Sequence, residues 1–215
     1  MTTELPILYN SFSMRAFLAD RKRETRRAIT PQPWLANNLW HYSPNKKAVG
    51  LTGEALLDGP YEYNVWPNDQ AYSLAMVRYC PYGQRGGRVW GRESWILLEI
   101  DAPTYRIQYT ADKTQAVIHC DRELDVLTTT GPKPGIFMPR EFSRITHELV
   151  NVRAERLHEI TREGALAEGI EPIPQLQGEA IQAYGALWDA INFSRGYGWK
   201  DNPWVWVLQL GEWIV

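Results

Sequence analysis

The sequence predicts an α+β fold: a small mixed β-barrel with flanking helices and two insertions. Three observations carry this expectation. Strand-like runs are scattered along the whole chain, one short amphipathic helix stands near the start with a helical pair near the end, and the last run, Trp204 to Leu210, is apolar on both faces until Gln209. A strand buried on both sides reads that way, and helices set against the openings of a strand layer give the simplest packing for such an order. The 215 residues are read as one domain, residues 1–215, with insertions at about 34–79 and 101–135. A chain of this length buries roughly 70% of its extended surface, enough for one good core.

Taken in order, Pro6 to Tyr9 is an extended apolar segment, and Ser13 is an N-cap candidate for a helix carrying Met14, Phe17 and Leu18 at helical spacing and running to about Asp20. The basic stretch Arg21 to Ile29 follows and leaves through a turn into extended chain before Pro31 and Pro33. Residues 34–79 are rich in Asn, Pro and Gly without periodicity. Gly83 to Gly87 reads as a turn feeding strand residues Val89, Trp90 and Ile96 to Leu98, and strand-like runs recur at Tyr105 to Tyr109 and Ala116 to His119. Ile145 to Val152 is a strand whose imperfect alternation suggests an edge position. Thr161 caps a two-turn helix through Glu168 that stops at Gly169, and a longer helix from about Glu179 to Asn192 carries Ile181, Tyr184, Leu187, Trp188 and Ile191 on one stripe.

Composition narrows the class. Hydrophobic residues at 44% and charged residues at 22% exclude a disordered or fibrous chain, and a net charge of −2 gives no global attraction to nucleic acid. The start of the chain has no signal-like pattern and no apolar run approaches a membrane span, so a cytoplasmic protein without membrane contact is expected. Cys80 and Cys120 sit in no paired motif, and the four histidines share no ligand spacing, so neither a metal nor an organic cofactor is expected. Of the ten tryptophans, Trp90, Trp95, Trp204, Trp206 and Trp188 fall in predicted strands or on the helix stripe. Trp34, Trp40, Trp66 and Trp199 are left as candidates for a pocket or for base stacking, and Trp213 is assigned to neither group.

Chemistry concentrates between Arg15 and Arg27, where six basic residues meet two acids. Charge runs of this kind are usually solvated surface. The alternative is a pocket wall on which Lys22 and Thr25 point the same way. Crowding by arginines and partial burial favour the neutral amine, and lowering a lysine from about 10.4 to near 7 takes about 4 kcal/mol. A threonine hydroxyl beside such a base becomes a nucleophile.

The run Phe17-Leu18-Ala19-Asp20-Arg21-Lys22-Arg23-Glu24-Thr25-Arg26-Arg27 resembles the opening motif of the ASCH domain family, small PUA-like β-barrels. Cys80 to Gly83, Arg88 to Trp95, Met138 to Arg140 with Ser143 to Ile145, and Asn202 to Val207 resemble the longer phage and prophage proteins of that family. Two departures stand in the opening motif: Asp20 replaces its glycine and Arg23 its first threonine. The resemblance implies an amidohydrolase that removes the acyl group from the exocyclic amine of N(4)-acetylcytidine. Lys22 would be the base, Thr25 the nucleophile, and Glu168 the carboxylate that orients substrate and helps protonate the departing amine. Glu93 is the competing carboxylate. Arg21, Arg26, Arg140 and Arg144 are candidate substrate contacts, Arg140 and Arg144 at a pocket rim where they could hold a phosphate or a carbonyl oxygen. The expected partner is a small nucleoside. The second reading is a non-catalytic PUA-like module that binds RNA or modified DNA, with the Arg21 to Arg27 segment, Arg140 and Arg144 gripping phosphate and aromatic residues stacking on a base.

Overall fold

A computed structural model describes residues 4–36, 39–42, 64–66, 76–121, 124, 129–171 and 179–214. The chain begins with β1 (Glu4–Leu8) and α1 (Ser11–Leu18), then β2 (Glu24–Ala28). Asn10 caps α1, its Oδ1 accepting from the Ser13 amide at 2.8 Å, so the helix starts before the predicted Ser13 cap. Three short strands follow, β3 (Trp34–Ala36), β4 (Leu39–Tyr42) and β5 (Asn64–Trp66), paired with one another. Most of the first predicted insertion, and the side chains of Trp34, Trp40 and Trp66, lie outside the described residues.

The chain continues through β6 (Arg88–Arg92), β7 (Trp95–Asp101), β8 (Thr104–Tyr109), β9 (Gln115–His119), β10 (Gly131–Lys133) and β11 (Thr146–Arg156). It ends with α2 (Arg162–Ala167), α3 (Glu179–Asn192) and β12 (Trp204–Ile214). The main sheet has the order β1-β6-β11-β12-β2, antiparallel except for the parallel β1–β6 pair. A four-stranded antiparallel sheet runs β10-β7-β8-β9 and holds its own core of Trp95, Leu97, Tyr105, Ile107 and Phe142.

Neither sheet closes, and this overturns the predicted barrel together with the ASCH or PUA-like architecture that the resemblance implied. In the main sheet β1 pairs only with β6 and β2 only with β12 among the described residues. Side chains occupy the place where a closing ladder would run. Arg27 of β2 donates to the Leu8 carbonyl of β1 at 2.6 Å, and its guanidinium lies 5.4 Å from the Tyr9 ring centroid. The predicted edge strand is also corrected: β11 lies inside the sheet, between β6 and β12, and register shifts around Leu149 account for its broken alternation.

The closing run behaves as its composition requires. Trp204, Val205, Trp206, Val207 and Leu208 are all buried, because β12 lies between β11 and β2 with apolar clusters on both faces. One face meets Ile7, Met14, Phe17 and Leu149; the other meets Tyr184, Trp188, Leu157 and Ile160. The stripe on α3 therefore packs over β12 beside the edge strand β2. Among the described residues no helix is long and apolar enough to cross a membrane.

Candidate functional site

The turn from α1 into β2 is shaped by backbone geometry. Asp20 takes a left-handed conformation, φ 56°, while the amides of Arg21 and Lys22 both donate to the Ala16 carbonyl at 2.9 and 3.2 Å. That backbone conformation is the one glycine adopts most freely, and aspartate is among the few side chains that tolerate it. The next residue fastens the turn across the molecule: the Arg23 amide donates to the carbonyl of Ala167, the last residue of α2, at 2.6 Å.

On the other side of that tether, Thr161 caps α2 by accepting from the Gly164 amide at 3.1 Å, and Glu168 is the C-cap residue. Gly169 follows with φ 95°, and a Cβ there would lie 2.5 Å from Ala16 Cβ. Both the helix end and its approach to α1 thus depend on glycine. Gly169→Ala is expected to destabilise the protein by about 3 kcal/mol, combining left-handed strain with overpacking. A urea unfolding midpoint unchanged from wild type would show that this junction gives way easily.

The two ends bring Lys22 and Glu168 together. Lys22 Nζ donates to the Glu168 carboxylate in a short, buried ion pair and to the Glu168 carbonyl at 2.9 Å. Lys22 is 2% exposed and Glu168 4%. Burial pushes the Lys22 amine below the ordinary lysine range; Glu168 opposes the shift, and the nearby Arg27 and Arg26 guanidiniums reinforce it. The Glu168 carboxylate also receives the Tyr184 hydroxyl at 3.3 Å and Arg26 Nη1 at 3.5 Å. Tyr184 is held far from ionisation, chiefly by burial and then by the Glu168 charge, so it serves as a donor.

These groups line a cavity of about 230 Å³ that also takes in Thr25, Arg27, Tyr82, Trp188, Arg195 and Tyr197. Thr25 is 2% exposed, and its hydroxyl has no hydrogen-bond partner among the described residues. Arg26 is occupied elsewhere: it donates to Glu155 Oε1 at 3.0 and 3.1 Å and lies 3.1 Å from Glu24. Its guanidinium therefore braces Glu168 and is poorly placed to receive a developing negative charge on a substrate. A second cavity of about 300 Å³, lined by Glu24, Arg153, Glu155, Glu159 and Glu163, lies on its other side. Among the described residues no group of three or more His, Cys, Asp or Glu side chains is arranged to hold a metal ion.

Of the residues singled out in the sequence, Lys22, Thr25, Arg26 and Glu168 share this cavity. The other four lie apart from it. Arg21 donates to the Gly169 carbonyl at 2.9 Å and pairs with Glu171, which holds the α2 end from outside. Glu93 and Arg144 form a two-pronged pair at 2.8 and 3.0 Å, and Arg144 continues to Asp112 at 2.8 Å. Arg140 binds Glu4 and the Thr146 hydroxyl, both at 2.9 Å. Trp199, a candidate stacking residue, packs on Tyr184 and His158 behind the cavity.

Tyr82, Tyr184 and Arg195 have no site role in the sequence reading, which places Arg27 only within a phosphate-gripping segment. Tyr184 sat on the apolar stripe of its helix, where an aromatic residue ordinarily means core. Tyr82 and Arg195 lie in turns that no periodicity marks. No family model matches the chain, and neither the curated proteins nor the solved structures give a match.

Proposed function

We propose that the protein is an amidohydrolase that removes the acyl group from the exocyclic amine of an N(4)-acylated cytosine nucleoside. One observation carries the reading: a buried lysine with a lowered pKa, hydrogen-bonded to a buried carboxylate, shares a small cavity with an unpartnered threonine hydroxyl. The choice of an acylated cytosine rests on the resemblance of the Phe17 to Arg27 run to the opening motif of the acetylcytidine amidohydrolases.

The chemistry proceeds in two halves. Neutral Lys22 takes the Thr25 proton as Oγ1 attacks the acyl carbon, and the C–N bond breaks as that proton passes to the departing amine. This leaves an acyl ester on Thr25. Water, losing its proton to Lys22, then attacks the ester; carboxylic acid leaves and the Thr25 hydroxyl is restored. Glu168 keeps the lysine nitrogen aimed into the cavity while Arg26 and Tyr184 hold the carboxylate.

Incubating the purified protein with N(4)-acetylcytidine and following cytidine by chromatography tests this directly. Turnover is expected, with a rate that climbs with pH through a pKa below the ordinary lysine range, since only the neutral amine accepts the proton. No cytidine release from any acylated cytosine derivative would end the proposal.

A further inference from the structure

The cations lining the cavity fall into two groups. Lys22 and Arg26 both face Glu168. Arg27 and Arg195 line the same cavity, yet neither has a carboxylate within ion-pair distance among the described residues. Arg27 gives one nitrogen to the Leu8 carbonyl and rests on the Tyr9 ring, which keeps it fixed without neutralising it. Arg195 is exposed and follows α3 in a short turn that ends at left-handed Gly196. Both guanidiniums act on the same group, the Tyr82 hydroxyl, which they pull down against the stronger upward push of burial.

Counted formally, the lining carries Lys22, Arg26, Arg27 and Arg195 against Glu168 alone, in a chain whose net charge is −2. Arg26 is balanced from outside the lining by Glu24 and Glu155, so the charge left facing the cavity without an acid is that of Arg27 and Arg195. The rest of the lining supplies neutral hydrogen-bonding groups, among them Ser13, Thr30, Asn192 and Tyr197, with Thr30 donating to the Tyr197 hydroxyl at 3.3 Å. A cavity with this excess favours an anion, and paired guanidinium forks match the oxygens of a phosphate. Its volume of about 230 Å³ lies just below the usual range for small-molecule sites, which suits one nucleotide better than a polymer.

Resting on the deacylase reading, we propose that the substrate is a phosphorylated nucleoside, with Arg27 and Arg195 holding its phosphate while the acylated base reaches Thr25. The specificity determinant is therefore the pair of outer arginines.

Binding and turnover test it separately. In calorimetry cytidine monophosphate is expected to bind the wild-type protein at least about tenfold more tightly than cytidine, a modest return for two charge-assisted contacts. Arg195→Gln, a change on an exposed turn, is expected to remove most of that ratio, and Arg27→Gln to reduce it as well. In turnover, kcat/KM for N(4)-acetylcytidine monophosphate should exceed that for N(4)-acetylcytidine by a similar factor. Equal affinities for nucleotide and nucleoside, or a ratio untouched by Arg195→Gln, would overturn the inference while leaving deacylation standing. Tighter binding of a cytidine-containing oligonucleotide than of the mononucleotide would overturn it too, in favour of a polymer. If the monophosphate preference appears and depends on Arg195 but no acylated cytosine is hydrolysed, the phosphate site at Arg27 and Arg195 stands and the deacylase reading falls, taking the assignment of a substrate with it.

Discussion

Thr25→Ala is expected to lower the hydrolysis of N(4)-acetylcytidine by at least about a thousand-fold, the scale on which a nucleophile and its base act as a unit. The substitution should leave the fold intact. The Thr25 hydroxyl has no partner among the described residues, so its removal strands no buried donor or acceptor. The strand register, with Thr25 opposite Leu208 of β12, does not depend on the side chain. Thr25→Ser, which keeps the hydroxyl but adds rotamer freedom, should retain a substantial part of the rate. Trapping of an acyl group on Thr25, read by mass spectrometry, gives a second measurement that an altered fold could not imitate. Full activity in Thr25→Ala would reassign the attack to a water activated by the Lys22 and Glu168 pair.

A large stability effect is also expected from Glu168→Ala, about 3 kcal/mol in urea unfolding at neutral pH, at the lower end of what breaking a buried ion pair costs. The alanine would leave Lys22, the Tyr184 hydroxyl and one face of Arg26 without their common acceptor. The loss is limited because Glu168 is the group that holds Lys22 up; without it the amine sheds its proton more readily, and a neutral amine is cheaper to bury. Removing both members, in Lys22→Met with Glu168→Gln, should recover much of the stability and none of the activity. The sign with pH also follows. A lysine whose pKa is lower folded than unfolded binds fewer protons in the native state, so wild-type stability rises with pH between the two values and carries its full penalty below the folded one. A Glu168→Ala protein as stable as wild type would show that the pair is solvated in solution.

Where the sequence spoke through local chemistry, the structure agrees. Thr161 and Gly169 bracket α2, and the apolar run from Trp204 lies between two strands. The start of the first helix is an exception: Ser13 has a capping side chain but lies inside the helix, and Asn10 is the cap, its side-chain oxygen accepting from the Ser13 amide. Closure of the sheet was not legible, because strand pairing between the ends of a chain's sheet leaves no local signal; here β1 and β2 are linked by the Arg27 side chain to the Leu8 carbonyl and not by a backbone ladder. Arg140 and Arg144 illustrate the same limit at the site. Their types suit phosphate, yet each has acids brought to it from far along the chain, Glu4 for one and Glu93 with Asp112 for the other. Lys22 was visible because its cationic neighbours adjoin it in sequence, whereas the acceptor side of Arg26, at Glu155, became apparent only when β11 and β2 were set on either side of β12.

The position of β12 also fixes an order of assembly. Strands β2 and β11 are not sheet neighbours; each waits for the strand that enters between them, and that strand follows both in sequence. During synthesis the arginines and glutamates around the cavity must therefore stay hydrated until residues 204–214 have left the ribosome, and long-range closure of this kind is slow compared with helix formation. A fragment that stops short of residue 204 is therefore expected to lack this cavity, whatever helices it has already made.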